Sequence, residues 1–138
     1  MPADVTSLPV EYLFTMRAML TEPVLIPDGP QGTRLLVMVT GGTVTGPRLN
    51  GTLYAGGGDW VTLRKDGTGE LDVRVAVKTD DDVTIHMEYK GILENWGVKS
   101  APLFETSGEK YGWLNNVQGI AIGDAKIGEV TYEVYALR

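Results

Sequence analysis

The stretch Gly46–Gly91, GPRLNGTLYAGGGDWVTLRKDGTGELDVRVAVKTDDDVTIHMEYKG, decides the fold class. Short runs rich in Val, Thr, Leu and Tyr alternate with Gly- and Asp-bearing turn signals, the signature of strands joined by tight connections. Lys65-Asp66-Gly67-Thr68 centres on Asp-Gly, which favours a two-residue type I′ hairpin because both central positions need positive φ. If Lys65 pairs with Thr68, Asp59 lies opposite Arg74 and Val61 opposite Asp72. If Thr79 pairs with Asp82 across the next turn, Arg74 lies opposite Met87 and Asp72 opposite Tyr89. Side chains alternate with period two along a strand. This register therefore gathers Asp59, Asp72, Arg74, Met87 and Tyr89 on one face, and Trp60, Val73, Val75, Val77 and His86 on the other. A slip of one residue in either hairpin would regroup them.

Outward from that stretch the same pattern continues. Strands are expected near residues 10–20, 34–40, 42–46, 49–55, 59–65, 69–78, 83–90, 113–122 and 128–137, with a helical turn near 95–99 or 110–113. Val10, Tyr12, Phe14, Met16 and Ala18 form one apolar face of the first strand. The fold class is all-β, a single antiparallel β-barrel domain over residues 1–138. Closure removes exposed edges and leaves room for one small ligand, as in lipocalin barrels. Polar residues on both faces of several runs favour a barrel with a central ligand cavity over a two-sheet sandwich.

Composition narrows the function. The 138 residues carry a net charge of -6 with Lys and Arg scattered singly, which argues against a nucleic-acid partner. There is no cysteine, hence no thiol nucleophile or thiolate metal site, and this fits a reducing cytoplasm. No apolar run approaches the ~20 residues of a membrane helix. MPADVTSLPVEYLF lacks the basic and apolar regions of a signal peptide. No membrane partner is expected; a small acidic barrel with wide apolar strands fits a homodimer or higher homo-oligomer.

Five residues are candidate catalytic groups: Asp59, Arg74, Tyr89, Glu105 and Asn115. Asp59 and Glu105 are candidate bases. Arg74 would clamp a carboxylate or enolate through its guanidinium fork, and Tyr89 and Asn115 would donate hydrogen bonds to a developing oxyanion. Trp60, Met87, Tyr111 and Trp113 are candidate substrate-binding residues. Each has a bland alternative: a cross-strand ion pair for Asp59 and Arg74, a core tyrosine for Tyr89, and a loop locked by side-chain-to-backbone bonds for Glu105 to Asn115. His86, the sole histidine, falls on the other face from Arg74. Asp80-Asp81-Asp82 lacks the spacing of a calcium loop and reads as a solvated turn. Gly56-Gly57-Gly58 has no strand–helix context for a phosphate loop and reads as tight entry to the Asp59 strand. Neither a metal nor a cofactor is expected.

The chain also resembles a known family. Leu8-Pro9-Val10-Glu11-Tyr12-Leu13-Phe14, Gly41-Gly42 with Gly46-Pro47, Gly56-Gly57-Gly58-Asp59-Trp60, Leu71-Asp72-Val73-Arg74, and Phe104-Glu105-Thr106 through Tyr111-Gly112-Trp113-Leu114-Asn115 look like the bacterial and fungal family catalogued as domain of unknown function 3237. The resemblance implies a single-domain β-barrel similar to allene oxide cyclase barrels. One departure is that Asp80-Asp81-Asp82 stands where the family usually has an Asp-Gly turn. The expected activity is a cofactor-independent isomerase, cyclase or lyase acting by proton transfer on an aromatic or polyketide-like metabolite. The alternatives are a binding barrel, acting as carrier or sensor, and an interaction module with a filled core.

Overall fold

The computed structural model describes residue 4 and residues 6–138. Its strands are β1 (Val10–Leu20), β2 (Val24–Gly29), β3 (Gly32–Thr45), β4 (Gly51–Leu53), β5 (Gly58–Leu63), β6 (Gly69–Thr79), β7 (Thr84–Glu94), β8 (Gly97–Ser100), β9 (Leu103–Glu105), β10 (Gly119–Lys126) and β11 (Glu129–Leu137); a 3-10 turn, Gly112–Asn116, precedes β10. Antiparallel ladders run β1–β11–β10–β8–β7–β6–β5–β3 and back to β1. The β4/β5 and β8/β9 pairs each act as one broken stave, so eight staves close the barrel, and β2 lies outside it, paired to β3. Among the described residues no helix is long and apolar enough to cross a membrane.

The expected strands near 34–40 and 42–46 are one strand, β3, because the chain stays extended through Gly41 and Gly42. A Cβ at Gly42 would lie 2.1 Å from the Arg17 carbonyl oxygen, so only glycine lets β3 cross β1 there. Strands β2, β8 and β9 were not anticipated; the last two are too short to show an alternation. Residues 113–116, expected as strand, form the 3-10 turn instead. In β1 a bulge between Tyr12 and Phe14 buries both Leu13 and Phe14 and turns Val10 and Tyr12 outward, correcting the single apolar face expected there. Tyr12 packs edge-on to Tyr135 and its hydroxyl shares a 2.6 Å hydrogen bond with that of Thr15.

Both central hairpins differ from the expected register by one residue. Leu63 pairs with Gly69, so Asp59 sits opposite Val73. Lys78 pairs with Thr84, so Val73 sits opposite Tyr89 and Arg74 opposite Glu88. In the first turn the Gly67 N–H donates to the Arg64 carbonyl (3.1 Å), the Arg64 N–H donates to the Thr68 carbonyl (2.9 Å), and only Gly67 takes a positive φ, of 87°. That is a type I turn followed by a left-handed residue, one residue longer than the I′ turn the Asp-Gly pair suggested. The Asp66 side chain reinforces it by accepting the Thr68 N–H at 2.9 Å. Asp82 plays the part of Gly67 in the second turn, with φ 68°. The two slips add to two residues between β5 and β7, a whole period of the alternation, so Asp59, Met87 and Tyr89 keep a common face. The strand between them is flipped: Val73, Val75 and Val77 face inward, and Asp72 and Arg74 face outward.

One half of the barrel is solid. Phe14, Met16, Ile85, Met87, Leu114 and Val134 are fully buried there. The 3-10 turn caps that end, with Leu114 buried beneath it. The other half is hollow.

Candidate functional site

The hollow is a cavity of about 500 Å3, which is the size range of a small-molecule pocket. A fully filled core is thereby excluded. Its wall is largely apolar and rich in valine, with Val37, Val39, Val61, Val73, Val75 and Val130 among its residues. The cavity opens between the β5–β6, β7–β8 and β10–β11 turns, where Gly67, Trp96 and Ile127 stand.

Three polar side chains reach its deep part: Asp59, Tyr89 and Tyr132. Asp59 and Tyr89 lie in one row across the sheet, with Val73 between them. Tyr132 faces them from β11, its ring edge-on to Tyr89 with centroids 5.4 Å apart. The Asp59 Oδ1 accepts the Asp72 backbone N–H at 3.0 Å. Here the β5–β6 ladder lacks the Trp60 and Val61 pairings that its register would give, so the carboxylate takes a donor that the ladder leaves free. Among the described residues the Asp59 Oδ2 has no hydrogen-bond partner.

The electrostatics follow from burial. Loss of solvent pushes the Asp59 carboxyl up from 3.8 to about 6; the Asp72 N–H opposes this and the Asp72 charge adds to it. Burial likewise raises Tyr89 well above its ordinary value, with further upward contributions from Tyr132 and the Asp59 charge. Tyr132 is raised as well, again by burial first. Both phenols therefore stay protonated at neutral pH and act as donors. The carboxyl, by contrast, changes charge close to neutrality, as a group that both takes and returns a proton must.

The remaining candidates lie elsewhere. Arg74 is exposed on the outer wall and pairs with Glu88 at 3.2 Å; the turn-lengthening residue that flips β6 is the cause. It makes no contact with Asp59, which corrects the expected ion pair. Trp60 is on the outer face for the alternation reason, one residue from Asp59. Met87 faces inward but lies in the solid half and does not line the cavity. Glu105 is exposed on β9, beside outward-facing His86 in register. Asn115 locks a loop: its Oδ1 accepts the Thr106 N–H at 2.8 Å and its Nδ2 donates to the Thr106 carbonyl at 3.0 Å. Tyr111 is buried at the capped end and donates to Asp81 Oδ1 at 2.8 Å. That carboxylate also pairs with Lys110, whose hydrogen bond is the main reason Asp81 is held far below the usual carboxylate range. Trp113 carries the Arg48 guanidinium on its ring, 3.7 Å from the centroid. Thus Asp59 and Tyr89 share the cavity, while Glu105, Asn115, Tyr111 and Trp113 belong to the other end of the barrel or its outside.

Tyr132 was not anticipated, although a signal existed. Val130, Tyr132, Val134 and Ala136 alternate with polar residues and are all buried, so β11 announces an inward tyrosine. The mouth was missed too. Asn95 and Trp96 form the two-residue β7–β8 turn with φ of 53° and 66°, the I′ geometry expected at Asp66-Gly67. A tryptophan at positive φ is an outlier, and it stands at the cavity entrance with 56% of its surface exposed. Trp96→Gly is expected to raise stability by about 0.5–1 kcal/mol, since it removes a left-handed backbone cost and loses little burial. Thermal melting checks this; a lower midpoint would mean that packing of the ring over the mouth outweighs the backbone relief.

Known proteins match this architecture. The family model described as "Protein of unknown function (DUF3237)" matches residues 8–137. The chain is 32% identical over 108 residues to the hydroalkoxylation enzyme phnH of Penicillium herquei, covering 78% of this chain and 69% of that protein. A crystal structure of a protein of unknown function from Clostridium acetobutylicum superposes with a TM-score of 0.87 at 28% identity, covering 95% of this chain and all (100%) of that one. The crystal structure of an enzyme from Penicillium herquei superposes with a TM-score of 0.74 at 28% identity over 97% of both chains.

Proposed function

The chain belongs to the family described as Protein of unknown function (DUF3237), and from that premise we propose that it is an enzyme moving a proton on a small, largely apolar molecule in the barrel. Within the isomerase, cyclase and lyase classes, addition of a hydroxyl across a polarised C=C bond, or its reverse, fits best. The observation that carries this reading is Asp59, an uncompensated carboxyl poised near neutrality at the deep end of an apolar cavity, with two protonated phenols beside it. The named activity of the Penicillium relative supports the reaction class.

The chemistry balances without net oxidation or reduction. The Asp59 carboxylate takes the proton of the substrate hydroxyl through Oδ2. The oxygen forms a bond to one alkene carbon, and the π pair moves to the neighbouring carbon and onto a conjugated carbonyl oxygen. Tyr89 or Tyr132 donates a hydrogen bond to that oxygen as its charge grows. Asp59 then returns the proton to the neighbouring carbon. The apolar walls strengthen each of these interactions by excluding water.

Incubation with ortho-hydroxychalcone in heavy water tests the proposal. Catalysis gives the cyclic ether with one deuterium on the carbon next to the carbonyl and an excess of one enantiomer. A racemic product formed no faster than in buffer counts against it. A second reading, a carrier of an apolar ligand, is favoured by the extent of the valine-rich wall; tight binding of the chalcone without ring closure would select it.

A further inference from the structure

Six side chains of this chain carry guanidinium groups, and the pairings of five place them on the outer surface or at its ends. Arg17 pairs with Glu129, Arg64 with Glu70 and Arg74 with Glu88; Arg48 and Arg138 share Glu11. Of the described residues lining the cavity only Lys126 is cationic, and its ammonium is 3.8 Å from Glu129 with the side chain 73% exposed. Alternation along β10 places Ala125 inward and Lys126 outward. Among the described residues the one charge inside is therefore the Asp59 carboxylate.

This arrangement discriminates. An anionic group brought to the deep end would lose its hydration, find no cation, and sit beside a like charge in a medium where such repulsion is weakly screened. A neutral oxygen suffers none of this. A hydroxyl can donate to Asp59 Oδ2, and a carbonyl can accept from Tyr89 or Tyr132. The rest of the molecule meets a mostly apolar wall, with Thr21 and Asn95 as its other uncharged polar side chains, and at the mouth the Trp96 ring and the exposed Ile127 side chain. We propose that the barrel selects uncharged, oxygen-bearing apolar molecules, oriented with a hydroxyl or carbonyl toward Asp59, Tyr89 and Tyr132, and rejects those carrying a carboxylate, sulfonate or phosphate. This rests on the reading of the cavity as the substrate site. It reverses the sequence expectation that Arg74 would clamp a carboxylate or enolate.

Two fluorescent probes that differ by one anionic group test it: N-phenylnaphthylamine, which is neutral, and anilinonaphthalene sulfonate. Titrations of the full chain at about pH 8, where the Asp59 carboxyl is ionised, read both dissociation constants. The neutral probe is expected to bind at least about tenfold more tightly, a difference of about 1.4 kcal/mol. In Asp59→Asn that ratio is expected to shrink by at least about threefold, because the neutral amide no longer repels the sulfonate. Equal or tighter binding of the sulfonate overturns the selectivity, and so does a ratio that the Asp59→Asn change leaves untouched. Binding of neither probe overturns both the selectivity and the reading of the cavity as a ligand site.

Discussion

Asp59→Asn is expected to be more stable than the native protein above about pH 6 and to lose about 10²–10⁴-fold in turnover. The stability argument follows from the carboxyl being raised from 3.8 to about 6. A carboxyl that is raised on folding binds its proton more tightly in the folded state, so between those values the folded protein holds more protons than the unfolded chain. Stability then falls as pH rises through the window and stays low above it. A shift of about two units corresponds to roughly 3 kcal/mol, and contact with cavity water lowers this to about 1–3 kcal/mol. The amide keeps the shape, and its Oδ1 still accepts the Asp72 N–H, while the buried charge is gone. Urea denaturation at a series of pH values reads the effect: the native protein loses stability between about pH 4 and pH 6 beyond what the variant loses. Parallel curves would mean that Asp59 is not desolvated, and the account of its proton affinity would fall with it. Rate measurements on the chalcone complete the test, since the native profile should carry a limb near pH 6 that the variant lacks. On the proposed reading, Asp59 is a trade of stability for activity.

Val73→Trp is expected to abolish ligand binding and leave the fold intact. Val73 lies between Asp59 and Tyr89 in the sheet and faces the cavity. An indole there occupies the deep end of the hollow half and meets empty volume where an ordinary core would offer packed atoms. Overfilling a packed core costs about 1–3 kcal/mol, whereas filling a void costs less or stabilises. The dissociation constant of N-phenylnaphthylamine should rise at least about tenfold while the melting midpoint moves by no more than a few degrees, roughly the shift that 1 kcal/mol gives in a chain of this size. Binding that survives the substitution would place the ligand outside the barrel. A collapse of the midpoint would mean that the deep end is already packed.

Much of this molecule was legible in its one-dimensional pattern. The spacing of Gly- and Asp-bearing turns and the run of β-branched residues announce an antiparallel barrel, and Asp59 and Tyr89 fall on one face in either register because two one-residue slips add to a full period of two. What misled was local. Asp66-Gly67 suits a two-residue turn and a three-residue one equally well, since both place Gly67 at positive φ, and the choice between them flips every side chain of β6. Arg74 leaves the cavity for that reason and meets Glu88 outside. The aromatic–polar segment from Phe104 to Asn115 resembled a second half of the site because its residue types are those of a pocket. Its Asn115 instead satisfies the Thr106 backbone, the work of a capped barrel end.

By itself the sequence determined the β-rich class, the closure into a barrel and the family, because these depend on periodicity, turn frequency and motifs spread over the whole chain. Tertiary structure alone decided which end is hollow, which charges enter it and that Tyr132 joins Asp59 and Tyr89. Those outcomes depend on register across strands far apart in sequence, where one residue of turn length inverts a face. They depend also on desolvation, which no single residue carries and only the assembled wall supplies.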